Sequence, residues 1–158
     1  MNNKSLIGKL GEDIACLYLT NKKYKIIDRN FRKPWGELDI IVKDPEGILV
    51  FVEVKSMRQF GNDSASLPQD AAIQPEDNLT AAKLRKLKRT ISLYVGSNPD
   101  LIDDEKGWRI DLIAIIIPDN VSRETLEKIL SGEDKNVSRE TLTDLLKYCE
   151  IKHYENIV

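Results

Sequence analysis

The sequence predicts an α/β protein with its elements in the order αβββαβ, a mixed sheet flanked by helices, and a small helical insertion before the last strand. Three observations carry this. Apolar residues recur at helical spacing near the N-terminus and again after residue 79, three strand-like apolar segments lie between, and the long apolar run Trp108 to Ile117 follows.

The first helix, from residue 4 to about 22, has Leu6, Ile7, Leu10, Ile14, Leu17 and Tyr18 as its apolar stripe. Gly8, Gly11 and Ala15 form a strip of small side chains that would let it approach a sheet closely, and Glu12 at the edge of that strip would project near the sheet rim. Strands are expected at Tyr24 to Asp28, Glu37 to Lys43 and Ile48 to Lys55. Residues 57–78, rich in Ser, Asp, Asn, Gln and Pro, read as a long loop, a kind that is usually functional or disordered. A second helix from about Leu79 to Val95 turns Leu84, Leu87, Ile91 and Tyr94 inward and Lys83, Arg85, Lys86, Lys88 and Arg89 outward. Trp108 to Ile117 reads as a central strand and Ile151 to Glu155 as a short last one.

Between those strands the heptapeptide Asn-Val-Ser-Arg-Glu-Thr-Leu occurs at 120–126 and again at 136–142. In each copy Ser suits an N-cap, Glu follows in the first turn, and Val can pack on Leu one turn later. The repeat thus encodes two helix starts, and 119–148 is expected to be a duplicated helical insertion rather than a dedicated partner-binding module.

At 158 residues the chain is expected to form a single domain, 1–158. A net charge of −2 argues against a protein held on nucleic acid by bulk charge alone. The charge is unevenly spread, with 11 Lys+Arg against 8 Asp+Glu in residues 1–60 and 6 against 9 in residues 119–158. A polyanion would therefore meet the N-terminal part. Cys16 and Cys149 have no metal-ligand spacing, no secretory signal is recognisable, and the run Ile110 to Ile117 is too short to span a bilayer. Reduced thiols in a cytoplasmic protein, with no membrane partner, are expected.

Asp44-Pro45-Glu46-Gly47 suits a type I turn followed by a left-handed glycine bulge, which sets position 44 opposite 48. Carried along the hairpin, that register places Asp39 opposite Glu53 and Glu37 opposite Lys55, with paired Cβ atoms about 5 Å apart. A compact polar cluster is expected on one face, with Leu38, Ile40, Val42, Val50, Val52 and Val54 on the other. Two carboxylates that close repel unless a cation sits between them, and Mg²⁺ or Mn²⁺ suits such oxygen donors. Lys55 would then orient an attacking water or stabilise charge on a phosphate, and Glu12 would add an outer ligand. The residues alone leave an alternative open, in which Lys55 bridges Glu37 and Asp39 pairs with Arg32 or Lys33 as a purely structural network.

The pattern Gly11-Glu12, Ala15, Tyr18-Leu19, Tyr24, Asn30, Arg32, Gly36-Glu37-Leu38-Asp39 and Phe51-Val52-Glu53-Val54-Lys55 resembles the YraN family of small bacterial proteins. The resemblance continues in Lys83 to Tyr94, Arg109-Ile110-Asp111 and His153-Tyr154-Glu155-Asn156. That family is similar in turn to archaeal-type Holliday junction resolvases and the PD-(D/E)XK nucleases, which implies a restriction-endonuclease-like core. It further implies Asp39 and Glu53 as metal ligands together with the carbonyl of Val54, Glu12 as the helix acid and Lys55 as the catalytic lysine. The family's arginine after the strand is replaced by Met57, with Arg58 one place later.

The function expected is a Mg²⁺- or Mn²⁺-dependent endonuclease acting on structured or branched DNA in the cytoplasm, with a homodimer compatible. Arg32, Lys33, Arg58, Lys83 and Lys86 are the expected nucleic-acid contacts, and Glu37 the supporting acid. The alternative is a non-catalytic nucleic-acid-binding or assembly module on the same fold. Trp35 would stack on a base or pack on the loop, Asp111 would pair with Arg109 or a neighbour, and His153, with no acid at useful spacing, is expected to be structural or exposed.

Overall fold

The structure, a computed structural model, describes residues 3–59, 79–131 and 135–158. Its elements are α1 (Asn3–Asn21), β1 (Lys25–Lys33), β2 (Gly36–Lys43), β3 (Leu49–Arg58), α2 (Ala81–Ser97), β4 (Trp108–Ile117), α3 (Arg123–Ser131), α4 (Lys135–Tyr148) and β5 (Glu150–Tyr154). The five strands form one sheet in chain order, antiparallel throughout except where β3 and β4 run parallel across the α2 crossover. This is the mixed sheet and αβββαβ order expected of a restriction-endonuclease-like core. No helix of the described residues is long and apolar enough to cross a membrane.

Each sheet face buries its own apolar layer. On one, Leu10, Ile14 and Leu19 of α1 pack with Ile40, Val50, Val52, Ile113 and Ile115, and Leu126, Ile129 and Leu145 of α3 and α4 complete the cluster. On the other, Ile91 and Tyr94 of α2 close over Leu38, Ile41, Leu49, Phe51 and Ile110. Burial of one such side chain contributes about 1.5–3 kcal/mol, so the insertion helices, by covering α1, help to hold that helix on the sheet.

Two glycines set how closely the helices approach. A Cβ on Gly11 would lie 2.5 Å from the Cβ and Oγ of Ser56, whose hydroxyl donates to the Ile7 carbonyl, so the absence of that atom lets α1 touch β3. A Cβ on Gly36 would lie 2.0 Å from Oγ1 of Thr90, which is why β2 can begin directly under α2. Gly8, expected in the same close-contact strip, faces open space instead.

The β2–β3 turn forms as its residues require. The Gly47 amide donates to the Asp44 carbonyl at 2.9 Å, Gly47 is left-handed at φ 86°, and Oδ1 of Asp44 accepts from the amides of Glu46 and Ile48. Pairs then run Lys43↔Leu49, Val42↔Val50, Ile41↔Phe51 and Ile40↔Val52, in the register expected. The ladder ends there, one position short of Asp39 and Glu53.

Two local expectations fail. Leu38 packs with Ile41 under α2 rather than with Ile40 and Val42 under α1, so the strict alternation of β2 breaks between Leu38 and Ile41. Ser122 does cap α3, accepting from the amide of Thr125 at 3.1 Å, with Val121 and Leu126 in one cluster. The second copy departs from this pattern, because α4 begins at Lys135 and Ser138 lies inside it. Pro118 stands four residues before Ser122, whereas Glu133, Asp134 and Lys135 before the second copy present no helix breaker. The long loop expected over 57–78 falls, from residue 60 on, outside the described residues.

At the end of the sheet formed by the starts of β3 and β4, charges are buried and compensated. The Arg109 guanidinium donates to both carboxylate oxygens of Asp111, to Oδ2 of Asp44 at 2.6 Å and to the Tyr24 hydroxyl at 3.2 Å. Asp111, fully buried, also accepts from the Asn156 amide at 2.9 Å, and Nε2 of His153 lies 2.9 Å from its Oδ2. Asp111 therefore pairs with Arg109 as expected. The buried His153 has the acid partner that no local spacing revealed, because that partner lies 42 residues away in sequence.

Candidate metal centre

At the opposite end of the sheet β2 and β3 diverge, and the acids gather in the fork. Asp39 lies past the last β2–β3 pair, so the ladder itself does not set it directly opposite Glu53 as the sequence register would. Its Oδ2 accepts the Val54 amide at 2.9 Å, so the carboxylate turns toward β3 and satisfies a main-chain donor where the strands separate. Burial, then the charge of Glu53, push the Asp39 carboxyl up to about 7; the Val54 amide and Lys55 oppose that rise, and Glu12 adds to it.

Glu53 and Lys55 follow on β3, with Nζ of Lys55 donating to Oε1 of Glu53 at 2.6 Å. Burial alone would lower the Lys55 ammonium, but its hydrogen bond to Glu53 and the charges of Glu53, Asp39 and Glu37 hold it above its ordinary value. Glu37 is largely exposed, 3.9 Å from Nε of Arg32. The structural network allowed by the sequence is therefore not the one formed: Lys55 engages Glu53 rather than Glu37, and neither Arg32 nor Lys33 pairs with Asp39.

Glu12 reaches the cluster from α1, one residue beyond the Gly11 contact. Burial raises its carboxyl, while the Asn30 side chain and the charges of Arg29 and Arg32 oppose the rise. Two grooves flank the acids. One of about 310 Å³, roofed by α2, is lined by Glu37, Glu53, Lys55, Lys83, Lys86 and Thr90. The other, about 490 Å³ and beside α1, is lined by Ser5, Gly8, Lys9, Glu12, Asn30 and Arg32.

The remaining basic residues are placed differently. Arg58 donates to the main-chain carbonyls of Asp119 and Val121, fastening the entry to α3. Lys33 extends over the Phe31 ring, 5.8 Å from its centroid, and Trp35 is 43% exposed in the neighbouring turn. Lys9 was not singled out from the sequence, and Asn30, quoted there only as part of the family pattern, was given no role at the site.

Among the described residues no three His, Cys, Asp or Glu side chains already form a metal cage. The donor set still fits a hard divalent ion, which takes two carboxylates, a carbonyl and several waters rather than an all-protein cage. A carboxyl whose ionisation is opposed by burial and by a neighbouring carboxylate, as at Asp39, is the arrangement such an ion relieves.

The model of the uncharacterised protein family UPF0102 matches residues 11–115, which hold every acid of the site and end before α3. A UPF0102 protein of Syntrophomonas wolfei is 34% identical over 119 residues, 74% of this chain and 90% of the relative. Relatives of the same name from Persephonella marina and Symbiobacterium thermophilum are 39% identical, covering 69% of this chain and 82% of theirs, and 40% identical, covering 64% and 83%. With the fold and the motifs in agreement, the chain belongs to the UPF0102 family, the YraN family its residues resemble.

Proposed function

We propose that this chain is a divalent-metal-dependent endodeoxyribonuclease acting on structured or branched DNA. One observation carries the reading. Asp39 lies in the strand fork near Glu53 and Glu12, its carboxyl raised by burial and by Glu53, and no lysine or arginine nitrogen among the described residues is within ion-pair distance of it. Among the described residues no ion pair offsets that carboxylate, and Glu12 and Glu53 beside it each line a groove.

Asp39, Glu53 and the Val54 carbonyl would hold Mg²⁺ or Mn²⁺, with Glu12 acting through a water from the α1 side. The ion, when bound, would supply charge neutralisation at a phosphodiester oxygen and a water acidic enough to attack phosphorus near neutral pH. Lys55, held cationic by Glu53, would orient that water and stabilise charge developing on the phosphate. Lys83 and Lys86 on the α2 side and Arg32 near Glu12 would contact flanking phosphates, which fix position but not sequence.

A second reading, a nucleic-acid-binding or assembly module without catalysis, is favoured by the closed Lys55–Glu53 pair. Cleavage assays on fork, flap, four-way junction and linear DNA separate the two. The nuclease reading expects Mg²⁺- or Mn²⁺-supported scission of at least one branched substrate, abolished by chelation and by Glu53→Ala. Tight binding with no scission under either metal would establish the module.

A further inference from the structure

We infer that Asn30 is a positioning residue for Glu12, holding the α1 acid toward Asp39; the inference rests on the metal-site reading above. Among the described residues three non-glycine positions have positive φ, and two of them, Lys23 and Asn156, lie in connections just outside strands. Asn30, at φ 51°, lies inside β1. Left-handed backbone in a strand is costly for any residue with a Cβ and least so for Asn, and such outliers concentrate where function fixes them.

The location matches that pattern. Arg29↔Ile40 and Phe31↔Leu38 flank Asn30 in the β1–β2 ladder, which puts it across from Asp39. The same stretch of β2 is where alternation breaks, so both strands are distorted at the acid site. The Asn30 side chain lines the groove beside α1 together with Glu12, and its presence opposes the rise that burial imposes on the Glu12 carboxyl. An amide N–H given to one carboxylate oxygen fixes the rotamer of a flexible glutamate while leaving its other oxygen for a water or an ion. Asn30 thus links α1 to the hairpin at the point where their acids must converge.

The test uses the full chain and Asn30→Gly, which keeps left-handed backbone accessible and removes only the amide. Mn²⁺ calorimetry is expected to show the dissociation constant raised about 10- to 100-fold, as for loss of an outer-shell partner, with the thermal midpoint little changed. In a Glu12→Gln background the same substitution is expected to add less than about twofold. Wild-type affinity in Asn30→Gly, or an equal loss in the Glu12→Gln background, overturns the inference. Silence of the wild type toward Mn²⁺ would instead count against the metal reading. Metal-free NMR then decides separately: the Asn30 side-chain amide must be exchange-protected in the wild type and move to free values in Glu12→Ala. Free values in the wild type overturn the positioning role whatever the metal does.

Discussion

The two ends of the sheet handle buried charge in opposite ways. Where β3 and β4 begin, Asp111 is completely buried yet held below its ordinary pKa: burial alone would raise it, but His153, Arg109 and the Asn156 amide outweigh that. Where β2 and β3 diverge, burial and Glu53 raise Asp39, with one amide and a lysine already committed to Glu53 in opposition. The chain is therefore able to build a compensated ionic network and leaves one acidic cluster short of cations. A local conflict of this kind is what the proposed metal site would relieve.

Asp111→Asn breaks the compensated end most directly. It removes the charge that Arg109 and His153 face in a dry site, and a loss of about 3–5 kcal/mol is expected from urea denaturation at pH 8. The same change at Asp39 is expected to have the opposite sign. Because the folded-state carboxyl lies above its ordinary value of 3.8, native Asp39 binds protons more tightly than the unfolded chain. Stability should fall as pH rises from about 4 and level off above about 7. Asp39→Asn should flatten that fall and stabilise the metal-free protein by on the order of 1–3 kcal/mol at pH 8. Destabilisation by both substitutions would erase the contrast between the two ends.

The next effect concerns the packing that delivers the acids. Gly36→Ala would press a methyl into Thr90, a strain of about 1–3 kcal/mol readable as a lower thermal midpoint. Adding Thr90→Ala removes Oγ1 and Cγ2, two of the three closest atoms, and should restore part of the loss. The smallest effect on stability is expected from Lys83→Ala and Lys86→Ala, exposed on α2. They should leave the midpoint unchanged and each reduce the salt dependence of DNA binding by about one unit of slope, as loss of a phosphate contact does.

Local chemistry made most of this fold legible. Asp44 to Gly47 dictated a turn and a hairpin register that the pairs from Ile40↔Val52 to Lys43↔Leu49 follow, and Trp108 to Ile117 forms β4 with the bounds read from its apolar run. The candidate site was legible as a set of residue types near one another in that register. Its geometry was not, because the β2–β3 ladder ends at Ile40↔Val52 and no spacing in the chain encodes the bond of the Asp39 carboxylate to the Val54 amide. The compensated network was hidden for another reason: Asp111 and His153 meet only through the pairing of β4 with β5, and no spacing in the chain encodes that. Nor did anything local set Thr90 against Gly36.

The most direct measurement is titration calorimetry of Mn²⁺ into the wild type and Asp39→Asn at pH 6 and pH 8, in buffers of different ionisation enthalpy. A bound cation must displace the proton that Asp39 retains below about 7. The wild type is therefore expected to release protons on binding at pH 6 and few at pH 8, and Asp39→Asn to lose the binding heat at both. Absence of a wild-type isotherm, or one that Asp39→Asn leaves unaltered, would contradict a metal centre at the strand fork.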